Sequence, residues 1–382
     1  MNSEISQNGP ETEATNAPRF APADAPRILA AATALPLNVV DQRSLAAMLR
    51  ALWREHYAGS RRWRSTFDQI QRSVRVDRRY LALPISEFVA LDSFGKTNAA
   101  WTRLAPEMGS LAAAKALASA GMSPRDVDHL FFVTGTGIAT PSVDARIVNR
   151  LAMRSDVRRT PIFGLGCAGG VAGIGRAVDA LRGSPNQVAL VVSVELCSLT
   201  LQREDSSVAN VIASALFGDG AAAVVLGGSE LADAQAREAP QIVATRSIFY
   251  PDTEGMMGWD VVDSGLKVML SPAIPDLIRE HLACDVDALL GDHGLNRSAI
   301  SHWIAHTGGN RVLEAVADAL ELAPGALDRS WRMLAGAGNL SSASVLFVLH
   351  DLLEERAARP GEFGVMLAMG PGFCAELALL RW

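Results

Sequence analysis

Short all-apolar runs alternate along this chain with stretches whose apolar residues recur at helical spacing. That is the pattern of strands buried on both faces and joined by helices. Arg27 to Thr33 reads as a first buried strand, and Asp41 caps a helix with Leu45, Met48, Leu49, Leu52 and Trp53 on one face. An alanine-rich helix follows over Trp101–Gly121, then a strand over Asp128–Thr134 that runs into Gly135-Thr136-Gly137. From Pro161 an apolar run enters a small-residue turn and a glycine- and alanine-rich helix, and Gln187–Glu195 reads as a parallel-type strand. A sharp turn at Gly218–Gly220 leads into a small-residue strand, and the polar stretch Ser229–Pro240 marks a boundary between two halves. The second half repeats the theme. It has a strand near Ile242–Ile248, helices near Pro275–Leu282 and Arg311–Leu320, and closing segments over Gly364–Gly370 and Phe373–Trp382. A glycine-bounded turn into a final apolar hairpin therefore ends each half, at Gly218–Gly220 and at Gly370–Gly372. The expected architecture is an internally duplicated α/β fold: a tail over 1–26, one half over 27–235 and another over 236–382.

Composition changes this picture little. Hydrophobic residues make up 49% and charged residues 20%, as in ordinary compact proteins, and 382 residues allow a large core. The net charge of −6, without a basic run interleaved with aromatics, argues against a nucleic-acid partner. Cys167, Cys197, Cys284 and Cys374 are spaced too irregularly for a disulfide framework or a zinc site, so no metal is expected. No apolar run is long enough for a membrane span, and the polar, acidic N-terminus lacks a signal core; it reads as a disordered tail. A cytoplasmic setting with reduced thiols is the natural expectation. Arg61 to Tyr80 is the most basic stretch; it suits the phosphates of a nucleotide-tailed substrate, and a solvated helical face reads it as well.

Three stretches carry candidate chemistry. The turn around Cys167 lifts a thiol to a helix N-terminus, where unpaired amides and the dipole stabilise a thiolate. His306 ends an apolar strand and enters a glycine turn, and Asn339 stands at the mouth of a helix start. Each alone has a structural explanation: an inert core thiol, a satisfied core histidine, a cap. Together they make a useful set. A cysteine takes an acyl group from a thioester, while a neutral histidine N–H and an asparagine amide donate to a developing enolate oxygen.

The order and spacing of Gly166-Cys167-Ala-Gly-Gly, Phe217-Gly-Asp-Gly-Ala-Ala-Ala, His306-Thr-Gly-Gly, Gly338-Asn339-Leu-Ser-Ser-Ala and Gly370-Pro371-Gly372 are specific. From about Arg27 to Trp382 the chain resembles the type III polyketide synthases, the chalcone synthase-like branch of the thiolase superfamily. That resemblance implies a thiolase-like αβαβα layered fold and a Cys-His-Asn triad at Cys167, His306 and Asn339. It also implies acyl-CoA and malonyl-CoA as substrates, no cofactor, and a homodimer with the region around Thr140 and Pro141 near the partner. The family's two gatekeeping aromatics fall on Phe217 and on Val268, the second not aromatic here. Its Gly-Phe-Gly-Pro-Gly cyclisation loop reads Ala368-Met369-Gly370-Pro371-Gly372. The resemblance sets Thr136, Cys197, Thr200, Trp259 and Ser341 along the same pocket. The cations that hold coenzyme A phosphates in plant members do not match one for one; Arg72, Arg75 and Arg311 are the substitutes.

A small thiol at Cys197 and a valine at 268 favour space for an aliphatic chain, and packing alone explains Cys197 as well. Met256-Met257-Gly258-Trp259 looks like the bacterial branch that makes alkylpyrones and alkylresorcinols. The expected starter is therefore a medium- or long-chain acyl-CoA with two or three malonyl extensions. Alternatives are a ketoacyl synthase III-type single condensation on an acyl carrier protein, or a type III synthase using aromatic or malonyl starters.

Overall fold

The computed structural model describes residues 25–231 and 239–382. The expected tail and the polar boundary between the halves therefore fall largely outside the described residues. The strands are β1 (Arg27–Ala34), β2 (Asn38–Asp41), β3 (Arg78–Leu81), β4 (His129–Thr134), β5 (Arg158–Phe163), β6 (Val188–Leu196) and β7 (Asp219–Gly227). They continue with β8 (Gln241–Phe249), β9 (Met257–Val262), β10 (Gly265–Leu270), β11 (Ile300–Ala305), β12 (Phe363–Gly370) and β13 (Cys374–Arg381).

Nine of them form one sheet in the order β11-β12-β13-β8-β1-β7-β6-β4-β5. Read outward from its centre, the duplication is visible. β1-β7-β6-β4 joins by antiparallel, antiparallel and parallel pairs, and β8-β13-β12-β11 repeats those senses. The two series meet at a single antiparallel pair, Arg27 with Gln241. The sheet folds over at that seam. The helix Gly169–Arg182 touches β4 and β6 on one side and β12 and β13 on the other, and the helix Ser344–Glu354 touches both β1 and β11. These helices fill the middle layer, and their small residues permit it: a Cβ on Gly170 would stand 2.2 Å from the Ser342 carbonyl oxygen. Phe94–Ser119 covers β1, β7 and β6 outside one half, and Ile274–Gly291 covers β8 and β13 outside the other. The result is the αβαβα layering expected from the sequence.

Central strands β6 and β7 are buried along their whole length, as continuous apolar runs require. The Asp41 cap forms, with Asp41 Oδ1 accepting from Ser44 N at 2.9 Å. Two elements differ from expectation. The alanine-rich helix begins at Phe94, because its polar first turns carry no apolar period. A separate hairpin, β9–β10, pairs with nothing in the main sheet. Among the described residues no helix is long and apolar enough to cross a membrane.

Candidate active site

Cys167 sits in a short 3-10 turn, Gly166–Ala168, at the head of the middle-layer helix Gly169–Arg182. Gly166 has φ +44°, and Pro371 packs where its Cβ would be, at 2.7 Å. Gly370 leaves still less room, since a Cβ there would meet the Leu165 carbonyl oxygen at 2.4 Å and the Ala168 nitrogen at 2.7 Å. The loop Gly370-Pro371-Gly372 is thus pressed against the cysteine turn; Pro371 lines the cavity and the two glycines set its position.

Asn339 follows the helix Asp328–Ala337 and is stitched to the other half by a two-way exchange. Its N–H donates to the Leu216 carbonyl at 2.9 Å and its carbonyl accepts from Gly218 N at 3.0 Å, forming a bridge with Phe217. Its Oδ1 accepts from the backbone N–H of Ser341 at 2.7 Å, which leaves the amide N–H to donate elsewhere. Ser341, at φ +46°, places its hydroxyl 3.8 Å from the Cys167 sulfur. His306 is buried at the end of β11, its backbone N–H tied to Leu367 O at 2.9 Å, and neither ring nitrogen has a protein partner.

Cys167, His306, Asn339, Ser341, Phe217, Trp259, Val268 and Pro371 all line one cavity of about 60 Å³. Its remaining wall is apolar, with Met257, Leu270, Ile274, Val312, Leu367 and Phe373. Burial pushes the Cys167 thiol up to about 12, the nearby Glu195 adds to this, and hydrogen bonds from Ser341 and Asn339 oppose it. Burial likewise holds the His306 imidazole down at about 3, so it is neutral. Burial thus opposes the thiolate that the helix start favours. Passing the thiol proton to His306 creates two opposite charges together, which an apolar chamber tolerates better than either alone.

Phe217 and Trp259, ring centroids 6.2 Å apart, together with Val268 also border a second, larger cavity of about 310 Å³. Cys197 and Thr200 line this annex and not the catalytic chamber, alongside Leu45, Leu49, Leu81 and Phe88. Val268 stands directly opposite Trp259 in the β9–β10 register, so the width freed by a valine at the gate is taken up by an indole. Thr136 faces neither cavity; its hydroxyl donates to Glu195 at 2.8 Å. Arg72, Arg75 and Arg311 are exposed and line neither cavity. Arg75 pairs with Glu314 at 3.6 Å and lies over the Trp331 ring, and Arg311 follows Gly308 and precedes Val312 at the chamber's edge.

Sequence reasoning missed Glu195. It is fully buried at the end of β6 and accepts from Gly135 N at 3.0 Å, the Thr136 hydroxyl and the Ser342 hydroxyl, joining the two halves behind Cys167. A carboxylate closing an otherwise apolar strand was the available signal. Among the described residues no group of side chains could hold a metal ion.

The chain matches the N-terminal domain of chalcone and stilbene synthases over residues 15–230 and their C-terminal domain over 241–382. The 1,3,6,8-tetrahydroxynaphthalene synthase of Streptomyces peucetius subsp. caesius is 50% identical over 93% of each chain. The phloroglucinol synthase of Pseudomonas fluorescens is 33% identical, over 81% of this chain and 87% of its own. In structure, 1,3,6,8-tetrahydroxynaphthalene synthase from Streptomyces coelicolor A3(2) superposes with a TM-score of 0.86 at 29% identity, covering 93% of this chain and 99% of the other. PKS-I of the brown alga Ectocarpus siliculosus gives 0.86 at 26% identity, over 94% and 98%. Half the residues shared with one such enzyme over nearly full length, on the same layered fold, make this chain a type III polyketide synthase of the chalcone and stilbene synthase family.

Proposed function

We propose that this synthase primes itself with a malonyl-derived unit and extends it with further malonyl-CoA to a hydroxylated arene of the 1,3,6,8-tetrahydroxynaphthalene type. The observation that carries this is the narrow chamber beside the nucleophile. Phe217 and Trp259 leave about 60 Å³ beside Cys167, room for only roughly four to six waters. That suits a starter acyl group of two or three carbons; the longer polyketide grown from it would extend into the adjoining cavity of about 310 Å³. Half the residues are shared with a tetrahydroxynaphthalene synthase, and a naphthalene hydroxylated on alternate carbons is what malonyl-derived units alone assemble into.

In the chemistry proposed, the Cys167 thiol passes its proton to His306 as sulfur attacks the starter thioester, and coenzyme A leaves as its thiol. Malonyl-CoA then loses carbon dioxide, and its enolate oxygen accepts from the imidazole N–H of His306 and the amide N–H of Asn339. The enolate carbon attacks the Cys167 thioester, a carbon–carbon bond forms, and the Cys167 thiolate departs. The scheme uses coenzyme A thioesters as substrates and calls for no cofactor or carrier protein. Arg311, at the chamber's edge, and Arg72 and Arg75 on the same basic side are the proposed phosphate contacts. Exposed Ile138 and Phe163, on the β5 side, favour a homodimer, readable from the mass in solution. Four free thiols favour a reducing compartment such as the cytoplasm.

The second reading is a medium- or long-chain acyl starter carried to an alkylpyrone or alkylresorcinol. It is favoured by the apolar annex of about 310 Å³ beyond the Phe217–Trp259 wall. Purified protein given malonyl-CoA alone should yield a polyhydroxylated naphthalene by mass. Trp259→Ala should shift selectivity toward octanoyl-CoA by about tenfold. Products only from long acyl-CoAs, with nothing from malonyl-CoA alone, would replace the first reading with the second.

A further inference from the structure

The wall between chamber and annex is carried by a hairpin that belongs to no other sheet. Trp259 on β9 and Val268 on β10 face each other across it, so they move as one body. The outer residues Val261 and Val262 are exposed, and the hairpin's polar ties to the rest of the molecule converge on one short loop. Within that loop Gln202 is only 5% exposed. Its Oε1 accepts from the Ser264 hydroxyl at 2.6 Å, and its Nε2 donates to Leu266 O at 3.4 Å and to Thr200 O at 3.3 Å. The Gln202 carbonyl in turn accepts from Asn210 Nδ2 at 2.7 Å. A Cβ at Gly265 would come within 3.1 Å of Gln202 Nε2, so the turn is closed down on this amide. Among the described residues, an ion pair between Lys267 and Asp205, at 3.6 Å, is a further polar tie and is partly exposed.

We infer that Gln202 is a positioning residue that fixes the β9–β10 hairpin to the turn Cys197–Thr200 and thereby sets which acyl groups the synthase accepts. One buried amide joins the element bearing Trp259 and Val268 to the one bearing Cys197 and Thr200, so it fixes the spacing between the two sides of the annex. It touches neither the chamber nor the triad. Its loss lets the indole swing and opens the chamber into the annex without removing any group that reacts. The inference rests on the reading that Trp259 limits chamber size.

The test compares Gln202→Ala, Gln202→Glu and Ser264→Ala with the parent protein. It reads the ratio of kcat/KM for octanoyl-CoA to that for malonyl-CoA alone, and hydrogen exchange across the chain. Gln202→Ala should raise the ratio about tenfold, the scale of one lost buried hydrogen-bonded group. Gln202→Glu keeps the acceptor for Ser264 but loses both donors, and should fall between. Amides of 257–270 should exchange faster while those of β6 do not. On a Trp259→Ala background, Gln202→Ala should add nothing to the ratio, because both act through the same indole. An unchanged ratio with unchanged hairpin exchange overturns the inference, as does an effect that persists undiminished without Trp259. If Trp259→Ala itself leaves the ratio untouched, the size-limit reading falls, and hairpin exchange in Gln202→Ala still decides the anchoring.

Discussion

Cys167 and His306 are each pushed by burial toward the uncharged form, so neither can be understood without the other. With His306 present, the thiol proton has an acceptor inside the chamber. Without it, burial alone governs, and the thiol titrates far up the scale. His306→Gln should therefore move iodoacetamide alkylation of Cys167 to higher pH, with the rate still climbing at about pH 10 because deprotonation rises with pH. Coincident profiles for parent and variant would show that His306 does not take the proton. The three residues that meet in the chamber were legible because each lies beside distinctive small residues: Gly164 and Gly166 before Cys167, Gly308 and Gly309 after His306, and Gly336-Ala337-Gly338 before Asn339. Glu195 was not, since a strand-ending glutamate looks the same in sequence whether it faces water or, as here, three donors in the interior. Trp259 was named as a pocket residue, but its effect was not legible: that it fills the space a valine frees follows only from cross-strand register.

At the level of elements, the cysteine turn and the loop Gly370-Pro371-Gly372 are in contact through backbone atoms, which have nowhere to go. Gly370→Ala should cost about 2 kcal/mol of stability and lower kcat more than it raises KM, because the displaced atoms belong to Leu165 and Ala168, on either side of the nucleophile. Gly336 makes the contrast. It lies near the end of the helix Asp328–Ala337 with nothing near its would-be Cβ, so Gly336→Ala should stabilise by about 0.5–1 kcal/mol. Thermal melts and steady-state kinetics on the two variants check both. Most strands of the main sheet were legible as apolar runs; the edge strand β5 opens with exposed Arg158, Arg159 and Thr160, so only its end from Pro161 was. The β9–β10 hairpin was not, because its residues are half exposed and lack both the continuous apolar run and a clean alternation.

Across the whole molecule the two halves share one interior. The middle-layer core joins Ile28, Val171 and Ala222 of the first half to Ile304, Leu346 and Met366 of the second. Neither half can bury its own helix without the other. Calorimetry should accordingly show a single unfolding transition whose van't Hoff and calorimetric enthalpies agree for the cooperative unit; two separated transitions would contradict it. The duplication itself was legible only faintly, as a glycine-bounded turn near the end of each half; only the second half closes in a hairpin, β12–β13, while the first closes in the single strand β7 between β1 and β6. Matching strand order made it plain, since topology survives sequence change that erases residue-level likeness.

The repeat has one more effect. The turn that opens the helix Gly169–Arg182 has a counterpart, Ser341–Ala343, opening Ser344–Glu354, and the residue matching Cys167 there is Ser342. Ser342 gives its hydroxyl to Glu195 and shares another contact with Ser193 at 2.9 Å, so it points into the molecule and away from the chamber. A body with two like ends thus has a single loading point. On the proposed chemistry, each polypeptide therefore holds one acyl group in thioester linkage at a time.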